Sequence, residues 1–143
     1  MNKIAIVFWS GTGNTEAMAN YIAEGVRAGG GEAELFGPKD FPAGRLASFS
    51  AVAFGCPAMG SEVLEEMDFE PMFAGLESSL SGKRIALFGS YGWGDGQWMR
   101  DWCARCNDAG ANLLDENGLV VNEAPDAEGE EACKELGRKL AAW

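Results

Sequence analysis

The chain has 143 residues, of which 47% are hydrophobic and 23% charged, so residues 1–143 suffice for one compact domain with a buried core. Its 11 basic and 22 acidic residues give a net charge of −11, which disfavours binding to nucleic acids and anionic membranes. The absence of histidine excludes Ser-His-Asp and Cys-His hydrolases and every His-ligated metal or haem.

Short apolar runs alternate with helical patterns along the chain. Strands are predicted at residues 3–9, 32–36, 51–55 and 84–90, and pieces of a fifth strand at Leu113 and 119–121. Helices are predicted at residues 15–28, over much of 70–79, at 97–108 and at 128–142, with a loop and a short helix within 37–50. This alternation predicts an α/β fold in which a doubly wound, five-stranded parallel sheet carries helices on both faces.

The longest strongly apolar stretch, residues 4–9, is far shorter than the ~20 residues that a membrane helix needs. It also lacks the flanking features of a signal peptide. We therefore expect a cytoplasmic protein with reduced thiols and no membrane contact.

Ligands of open parallel sheets bind beyond the carboxyl ends of the strands, which directs attention to the loops 10–15, 56–62 and 90–95. The first loop reads Ser-Gly-Thr-Gly-Asn-Thr and precedes a helix. Its glycines allow backbone N–H groups to point inward, and the helix N-terminus adds partial positive charge, so the loop can bind an anion without Lys or Arg. The alternative interpretation is a Ser/Thr helix cap with turn glycines.

Other phosphate-binding motifs do not match this loop. The pattern G-x-x-x-x-G-K-[ST] is absent, and G-x-G-x-x-G fails because Glu16 stands at the position of the third glycine. A phosphatase loop built on Cys56 would need a following Arg, but no basic residue occurs between Arg45 and Lys83.

The hexapeptide 10–15, the segment Ala-Met-Gly-Ser-Glu at 58–62 and the segment Tyr-Gly-Trp-Gly-Asp-Gly at 91–96 together resemble the flavodoxin family. The resemblance is to the short-chain type found in anaerobic bacteria and covers essentially the whole chain. It implies a flavodoxin-like fold that binds FMN non-covalently, with no catalytic residue and no metal ligand. The FMN-binding residues that it implies are Trp9, Ser10, Gly11, Thr12, Gly13, Asn14, Thr15, Pro57, Ala58, Met59, Gly60, Ser61, Glu62, Ser90, Tyr91, Gly92, Trp93, Gly94 and Asp95.

The resemblance also implies individual roles at the flavin ring. Met59 would cover the inner ring face and Trp93 the outer face. The Gly60–Ser61 peptide would turn over on reduction so that the Gly60 carbonyl bonds flavin N5, and Glu62 would bond N3–H. At Ser61 the chain departs slightly from the family, whose members often carry Asp or another small residue at this position.

At the phosphate and the ring edges, the resemblance implies that Ser90 reaches the phosphate and that Asp95 lies near the pyrimidine edge. Trp9 would flank the ribityl-phosphate side. The cysteines at 103 and 106 lie inside a predicted helix rather than at its N-terminus, which favours structural thiols over a redox pair.

We therefore expect a low-potential one-electron carrier rather than an enzyme. The acidic segment 46–82, which contains no Lys or Arg, would oppose a negatively charged flavin and attract basic partners. Expected partners are basic-faced redox enzymes such as a hydrogenase, a pyruvate oxidoreductase or a flavodoxin reductase, and the carrier is expected to be a monomer. Two alternatives remain: an FMN-dependent NAD(P)H:quinone or flavin reductase on the same fold, and a cofactor-free binding module.

Overall fold

The computed structural model describes residues 2–60 and 62–143. The described residues form six strands and four α-helices, with short 3-10 helices at Pro38–Asp40, Ala43–Ser48 and Glu77–Ser79. The elements are β1 Lys3–Phe8, α1 Asn14–Ala28, β2 Glu32–Phe36, β3 Ala51–Gly55, α2 Phe69–Leu76, β4 Arg84–Tyr91, α3 Gln97–Asp108, β5 Asn112–Leu113, β6 Leu119–Asn122 and α4 Ala127–Ala142.

The strands form one sheet in the order β2-β1-β3-β4-β5, and each pairing between them is parallel. Both β5 and β6 pair with β4: the start of β4 at Arg84 faces Asn112, and its end at Tyr91 faces Asn122. The fifth position of the sheet is therefore filled by two segments with an excursion between them. This confirms the doubly wound parallel sheet and the fifth strand in pieces.

Each face of the sheet buries a separate core. One core lies under α1 and α4 and includes Ile6, Ile22 and Phe88. The other lies under α2 and α3 and includes Phe54 and Trp102. The central strands are apolar on both faces because helices cover both, as expected for parallel strands.

The helices α1 and α4 approach each other closely at two glycines. A Cβ atom built on Gly25 would lie 2.0 Å from the Lys134 carbonyl oxygen, and one on Gly137 would lie 2.1 Å from the Ile22 carbonyl oxygen. Only glycine permits this contact, so backbone meets backbone where the two helices cross.

The predicted element bounds agree with the structure to within a few residues. For example, β1 ends at Phe8 instead of residue 9, β4 extends to Tyr91, and α4 begins at Ala127 instead of residue 128. Within the described ranges, no helix is both long enough and apolar enough to cross a membrane.

Candidate functional site

A cavity of about 500 Å³ opens at the carboxyl ends of β1, β3, β4 and β6. This volume falls within the ~300–1,000 Å³ that small-molecule sites occupy. The site lies where β1 and β3 are neighbours and the strand order reverses, which is the expected position for a ligand in an open α/β sheet. The residues that line the cavity are Trp9, Gly11, Thr12, Asn14, Pro57, Ala58, Met59, Ser90, Tyr91, Gly92, Glu123 and Ala124.

The loop between β1 and α1 forms one end of the cavity. Gly13 adopts a left-handed conformation with φ 95°, and the Ser10 hydroxyl oxygen accepts hydrogen bonds from the N–H groups of Gly13 (3.1 Å) and Glu16 (3.2 Å). Because a hydroxyl can accept two bonds and still donate one, the Ser10 proton remains available. In the described part of the chain the N–H groups of Asn14 and Thr15 have no hydrogen-bond partner, so this helix start presents donors suited to an anion.

Two buried hydroxyls connect this loop to the end of β4. The oxygen atoms of Thr15 and Ser90 lie 3.0 Å apart, and the Ser90 N–H also donates to Thr15 over 3.4 Å. The Thr15 side chain therefore supports the end of β4 without lining the cavity, whereas Ser90 both bonds to Thr15 and lines the cavity.

The Trp9 ring lies against the backbone of the same loop. A Cβ atom on Gly11 would lie 3.0 Å from the ring, so a side chain at this position would displace it. Glycine at residue 11 thus lets Trp9 reach the cavity wall.

The loop after β3 forms the second side of the cavity. The Ala58 N–H donates to the Ser90 carbonyl over 3.1 Å, which continues the pairing of β3 with β4 beyond the strands. The Met59 N–H then donates to the Val63 carbonyl over 3.0 Å and closes a tight turn. Gly60 is exposed within this turn, and a Cβ atom there would have no neighbour within 4 Å. Ser61, which sequence analysis included in the site, lies outside the described residues.

Glu62 connects this turn to α3. Its backbone is left-handed, with φ 51°, and its carboxylate Oε1 accepts from the N–H of Gln97 over 3.2 Å. A Cβ atom on Gly94 would lie 2.5 Å from the same oxygen, so glycine makes room for the carboxylate. One oxygen of Glu62 is thus placed at a helix N-terminus, where the helix dipole stabilises negative charge.

The loop after β4 surrounds the cavity mouth. Gly92 lines the cavity, whereas the Trp93 side chain is 57% exposed and does not belong to the lining. Asp95 points away into an ion pair with Arg100 at 2.9 Å. Trp98 is buried, and its Nε1–H donates to the Cys56 carbonyl over 3.0 Å, which ties α3 to the second loop.

The loop after β6, which also lines the cavity, was not predicted from the sequence. Glu123 has a left-handed backbone with φ 58°, and its N–H donates to the Tyr91 carbonyl over 2.7 Å. The side-chain amide of Asn122 donates to the same carbonyl over 3.2 Å. These bonds bring Glu123 and Ala124 to the cavity wall. This loop could have been predicted, because ligands of an open parallel sheet bind beyond the carboxyl ends of its strands, and the fifth strand also ends at this edge.

Most carboxylates of the acidic segment have partners of their own. Arg105 forms paired hydrogen bonds with both Glu70 and Glu77 at 2.6 to 2.8 Å and lies over the Phe73 ring. The bond from Arg105 lowers the pKa of Glu77 below its ordinary value. Lys39 lies 3.7 Å from Asp68. Lys39 balances the charge of Asp68, and the single positive charge of Arg105 is shared between Glu70 and Glu77, so the acidic segment carries less unbalanced negative charge than the sequence alone suggested.

Glu65 has a structural position of its own. Its buried carboxylate accepts hydrogen bonds from the N–H groups of Met67 (2.7 Å), Asp68 (2.8 Å) and Phe69 (2.8 Å) at the start of α2. Burial alone would raise the pKa of Glu65, but these three donors outweigh it and hold the pKa below its ordinary value.

The four cysteines are buried free thiols. Burial raises the pKa of Cys56, Cys106 and Cys133 to about 12 and raises that of Cys103 as well. A thiol with so high a pKa is almost entirely protonated at neutral pH and is a poor nucleophile, in agreement with the structural interpretation of the pair in α3.

Comparison with known proteins gives one consistent answer. A family model described as "Flavodoxin" matches residues 6–137. The chain is 49% identical to a flavodoxin of Megasphaera elsdenii over 96% of this chain and 98% of the relative. It is 47% identical to a flavodoxin of Clostridium beijerinckii over 95% of this chain and 97% of the relative. The solution structure of two-electron reduced Megasphaera elsdenii flavodoxin superposes with a TM-score of 0.89, covering 98% of this chain and 99% of that one at 48% identity.

Proposed function

Because this chain belongs to the flavodoxin family, we propose that it holds FMN in the cavity at the carboxyl ends of β1, β3, β4 and β6. The chain is a small FMN-binding electron carrier and not an enzyme. The reductase alternative is not favoured, since these relatives are flavodoxins. When bound, FMN takes up and releases electrons one at a time and becomes anionic when fully reduced.

The residues present fit this cofactor at both ends of the cavity. At one end, the N–H groups of Asn14 and Thr15 and the hydroxyls of Ser10 and Thr12 offer uncharged donors for a phosphate. At the other end the wall is apolar, with Ala58, Met59 and Tyr91, as a flat aromatic ring requires, whereas Trp9 lies against the loop between β1 and α1. The observation that carries the proposal is this pairing of an anion-binding helix start with an apolar slot.

We propose that Met59 and Trp93 cover the two faces of the ring, in keeping with the family resemblance. Met59 already lines the cavity, and the exposed apolar surface of Trp93 gains burial when a ring stacks against it. Glu62 uses one carboxylate oxygen for Gln97, and its second oxygen is the acceptor that we assign to the ring N3–H.

Gly60 supplies conformational freedom to the turn beside the ring. The open space around its Cβ position means that steric fit does not require glycine in the observed conformation. We propose that glycine is needed because the peptide that follows turns over, which places residue 60 in torsions that other residues adopt only at a cost.

Negative charge near the ring keeps the potential low. A carboxylate at about 10 Å and an effective dielectric constant of about 40 opposes an added electron by about 0.8 kcal/mol. Glu62 and Glu123 are the carboxylates that the structure brings to the cavity or its margin. We assign the effect to these two rather than to Glu70 and Glu77, whose combined charge is halved by Arg105.

We further propose that the carrier is a cytoplasmic monomer of one domain. Its net charge of −11 suits basic-faced redox partners, among which a hydrogenase, a pyruvate oxidoreductase and a flavodoxin reductase are candidates.

Refolding the protein with FMN tests the proposed site. The expected result is a yellow protein that quenches FMN fluorescence in a one-to-one titration. Thr12→Val, which removes a hydroxyl at the anion end, should weaken FMN binding and leave riboflavin binding nearly unchanged, because riboflavin lacks the phosphate. Equal losses for both ligands would contradict the assignment of this end, and failure to bind either would contradict the site itself.

A further inference from the structure

Met67 is the most exposed of the large apolar side chains in the described part of the chain, at 82%. It follows the turn that holds Met59 and precedes α2. A single exposed apolar residue is ordinary in a soluble protein and needs no explanation by itself. Its backbone N–H, however, donates to a buried carboxylate, that of Glu65.

The buried Glu65 carboxylate fixes the main chain under Met67. Glu65 accepts from the Met67 N–H over 2.7 Å and from the next two N–H groups over 2.8 Å, and its own N–H donates to Cys56 Sγ over 3.3 Å. The segment is thereby anchored to the loop that lines the cavity, while the Met67 side chain projects into water. A side chain on a fixed backbone loses less conformational freedom on binding than one on a mobile loop.

Contacts between two loops join Met67 to the cavity mouth. Val63 pairs with Met59, which lines the cavity, and the intervening Glu62 bonds to the start of α3 beside Gly94. The loop of Trp93 therefore touches the loop that leads to Met67. We call the three exposed apolar side chains on these loops, Val63, Met67 and Trp93, the rim patch.

The charges around the rim patch are mainly negative. Glu62, Glu66, Asp68 and Asp95 lie on the same two loops; Lys39 and Arg100 pair with the two aspartates, so Glu62 and Glu66 carry the unbalanced negative charge. An apolar centre within an acidic border complements a partner whose apolar centre has a basic border.

We propose that Met67 is the apolar anchor by which this protein docks redox partners whose electron-accepting group lies in an apolar face bordered by Lys and Arg. The proposal rests on the proposed function. Met67 contributes contact area and not charge, and methionine suits the task because its flexible thioether packs against surfaces of different shape. In the reaction, one electron passes from the reduced protein to the partner's oxidised acceptor group, which is thereby reduced by one electron, and no bond is made or broken.

Anaerobic stopped-flow mixing tests this role. The FMN-loaded protein is reduced with dithionite, freed of excess reductant, and mixed either with mitochondrial cytochrome c, a basic haem protein, or with ferricyanide, a small acceptor that needs no docking surface. Met67→Gln keeps the length of the side chain but removes its apolar contact, whereas Met67→Leu keeps the apolar contact. Val120→Gln is a control at another exposed apolar residue, on β6.

Met67→Gln is expected to lower the second-order rate with cytochrome c by roughly fivefold or more, because losing an anchor side chain weakens the complex. The factor should be the same at low and high ionic strength, since no charge changes. Met67→Leu and Val120→Gln should stay within about twofold of the wild type. Ferricyanide reduction and the midpoint potentials should not change in any variant.

Three results would overturn the proposal: an unchanged cytochrome c rate in Met67→Gln, an equal loss in Val120→Gln, or a parallel loss with ferricyanide. The last would place the effect at the cofactor rather than in docking. Failure of the proposed function is distinguishable, because a protein that carries no FMN would reduce neither acceptor.

Discussion

The carboxylate oxygen Oε1 of Glu62 accepts a hydrogen bond from the Gln97 N–H over 3.2 Å, so the loop after β3 is tied to the first turn of α3. This hydrogen bond thereby joins two loops that are distant in sequence at the cavity mouth. Gly94 allows this contact, since any side chain there would meet the same carboxylate oxygen.

Gly94→Ala should weaken FMN binding by displacing the Glu62 carboxylate. The new Cβ atom would lie 2.5 Å from Oε1, and alanine would also be strained at φ +83°. Gly82→Ala is a matched control, because φ there is +75° but nothing lies within 4 Å of the new Cβ atom. Both variants should lose about 1 kcal/mol of unfolding free energy from strain. Fluorescence titration should show weaker FMN binding only in Gly94→Ala, and equal affinities would contradict the role of this contact.

Thr15→Val should destabilise the fold, because it leaves the buried Ser90 hydroxyl and N–H without their partner. The expected loss in the free energy of unfolding is about 1–3 kcal/mol by urea denaturation of the apoprotein. Thr12→Val is the matched control: Thr12 is exposed at the cavity, so this variant should keep the stability of the wild type. A Thr15→Val apoprotein as stable as Thr12→Val would show that the buried pair contributes nothing.

Glu65→Gln should destabilise the protein at neutral pH and reduce the pH dependence of its stability. The folded-state pKa of Glu65 is lowered by three N–H donors, so the carboxylate stabilises the fold above its unfolded-state pKa of about 4.3. That stabilisation is lost as the pH falls through the lower folded-state pKa. At pH 7 we expect a deficit of about 1–3 kcal/mol for the variant, shrinking steadily below about pH 5.

Urea unfolding over a pH series measures this deficit. Glu66→Gln, at the exposed neighbouring residue, should follow the wild type at every pH. A deficit for Glu65→Gln that is constant from neutral to acid pH would mean that the charge of the carboxylate is not what stabilises the turn.

Gly25→Ala should be among the more damaging single methyl additions to the core. The new Cβ atom would lie 2.0 Å from the Lys134 carbonyl oxygen, so α1 and α4 must separate, at a cost of about 1–3 kcal/mol or more. Gly75→Ala, also a helical glycine but with open space around it, should instead stabilise the protein by about 0.5–1 kcal/mol. Thermal unfolding monitored by circular dichroism should show a lower melting temperature for Gly25→Ala and a higher one for Gly75→Ala. Melting temperatures that shift in the same direction would contradict the packing argument.

Gly60→Ala should lower the first one-electron potential while leaving the affinity for oxidised FMN nearly unchanged. Alanine fits the observed conformation, so the affinity of the oxidised protein for FMN should stay within about twofold. A strain of about 1 kcal/mol in the turned-over peptide would lower the first one-electron potential by roughly 40 mV. Spectroelectrochemical titration measures the shift, and an unchanged potential would argue against a peptide that turns over at this residue.

The order of elements could be predicted from the sequence because short apolar runs and helical periodicity reflect local chain geometry. The strands at Glu32–Phe36 and Ala51–Gly55 agree with the structure residue for residue. Three of the four loops around the cavity could also be predicted, since parallel strands present their carboxyl ends at one edge of a sheet; the loop after β6 was not predicted.

Tertiary structure decided what the sequence pattern could not express: which groups face one another. The hydroxyl of Thr15 bonds Ser90, which is 75 residues away. Arg105 pairs with two carboxylates, Glu70 and Glu77, and balances one of their two charges, which the sequence alone could not show. The sequence by itself therefore determined the family, the fold and three of the four loops around the cavity, because these depend on local patterns. Only the folded chain decided which side chains line the cavity, which hydrogen bonds support its walls and which carboxylates are paired with cations, because these depend on distances between residues far apart in sequence.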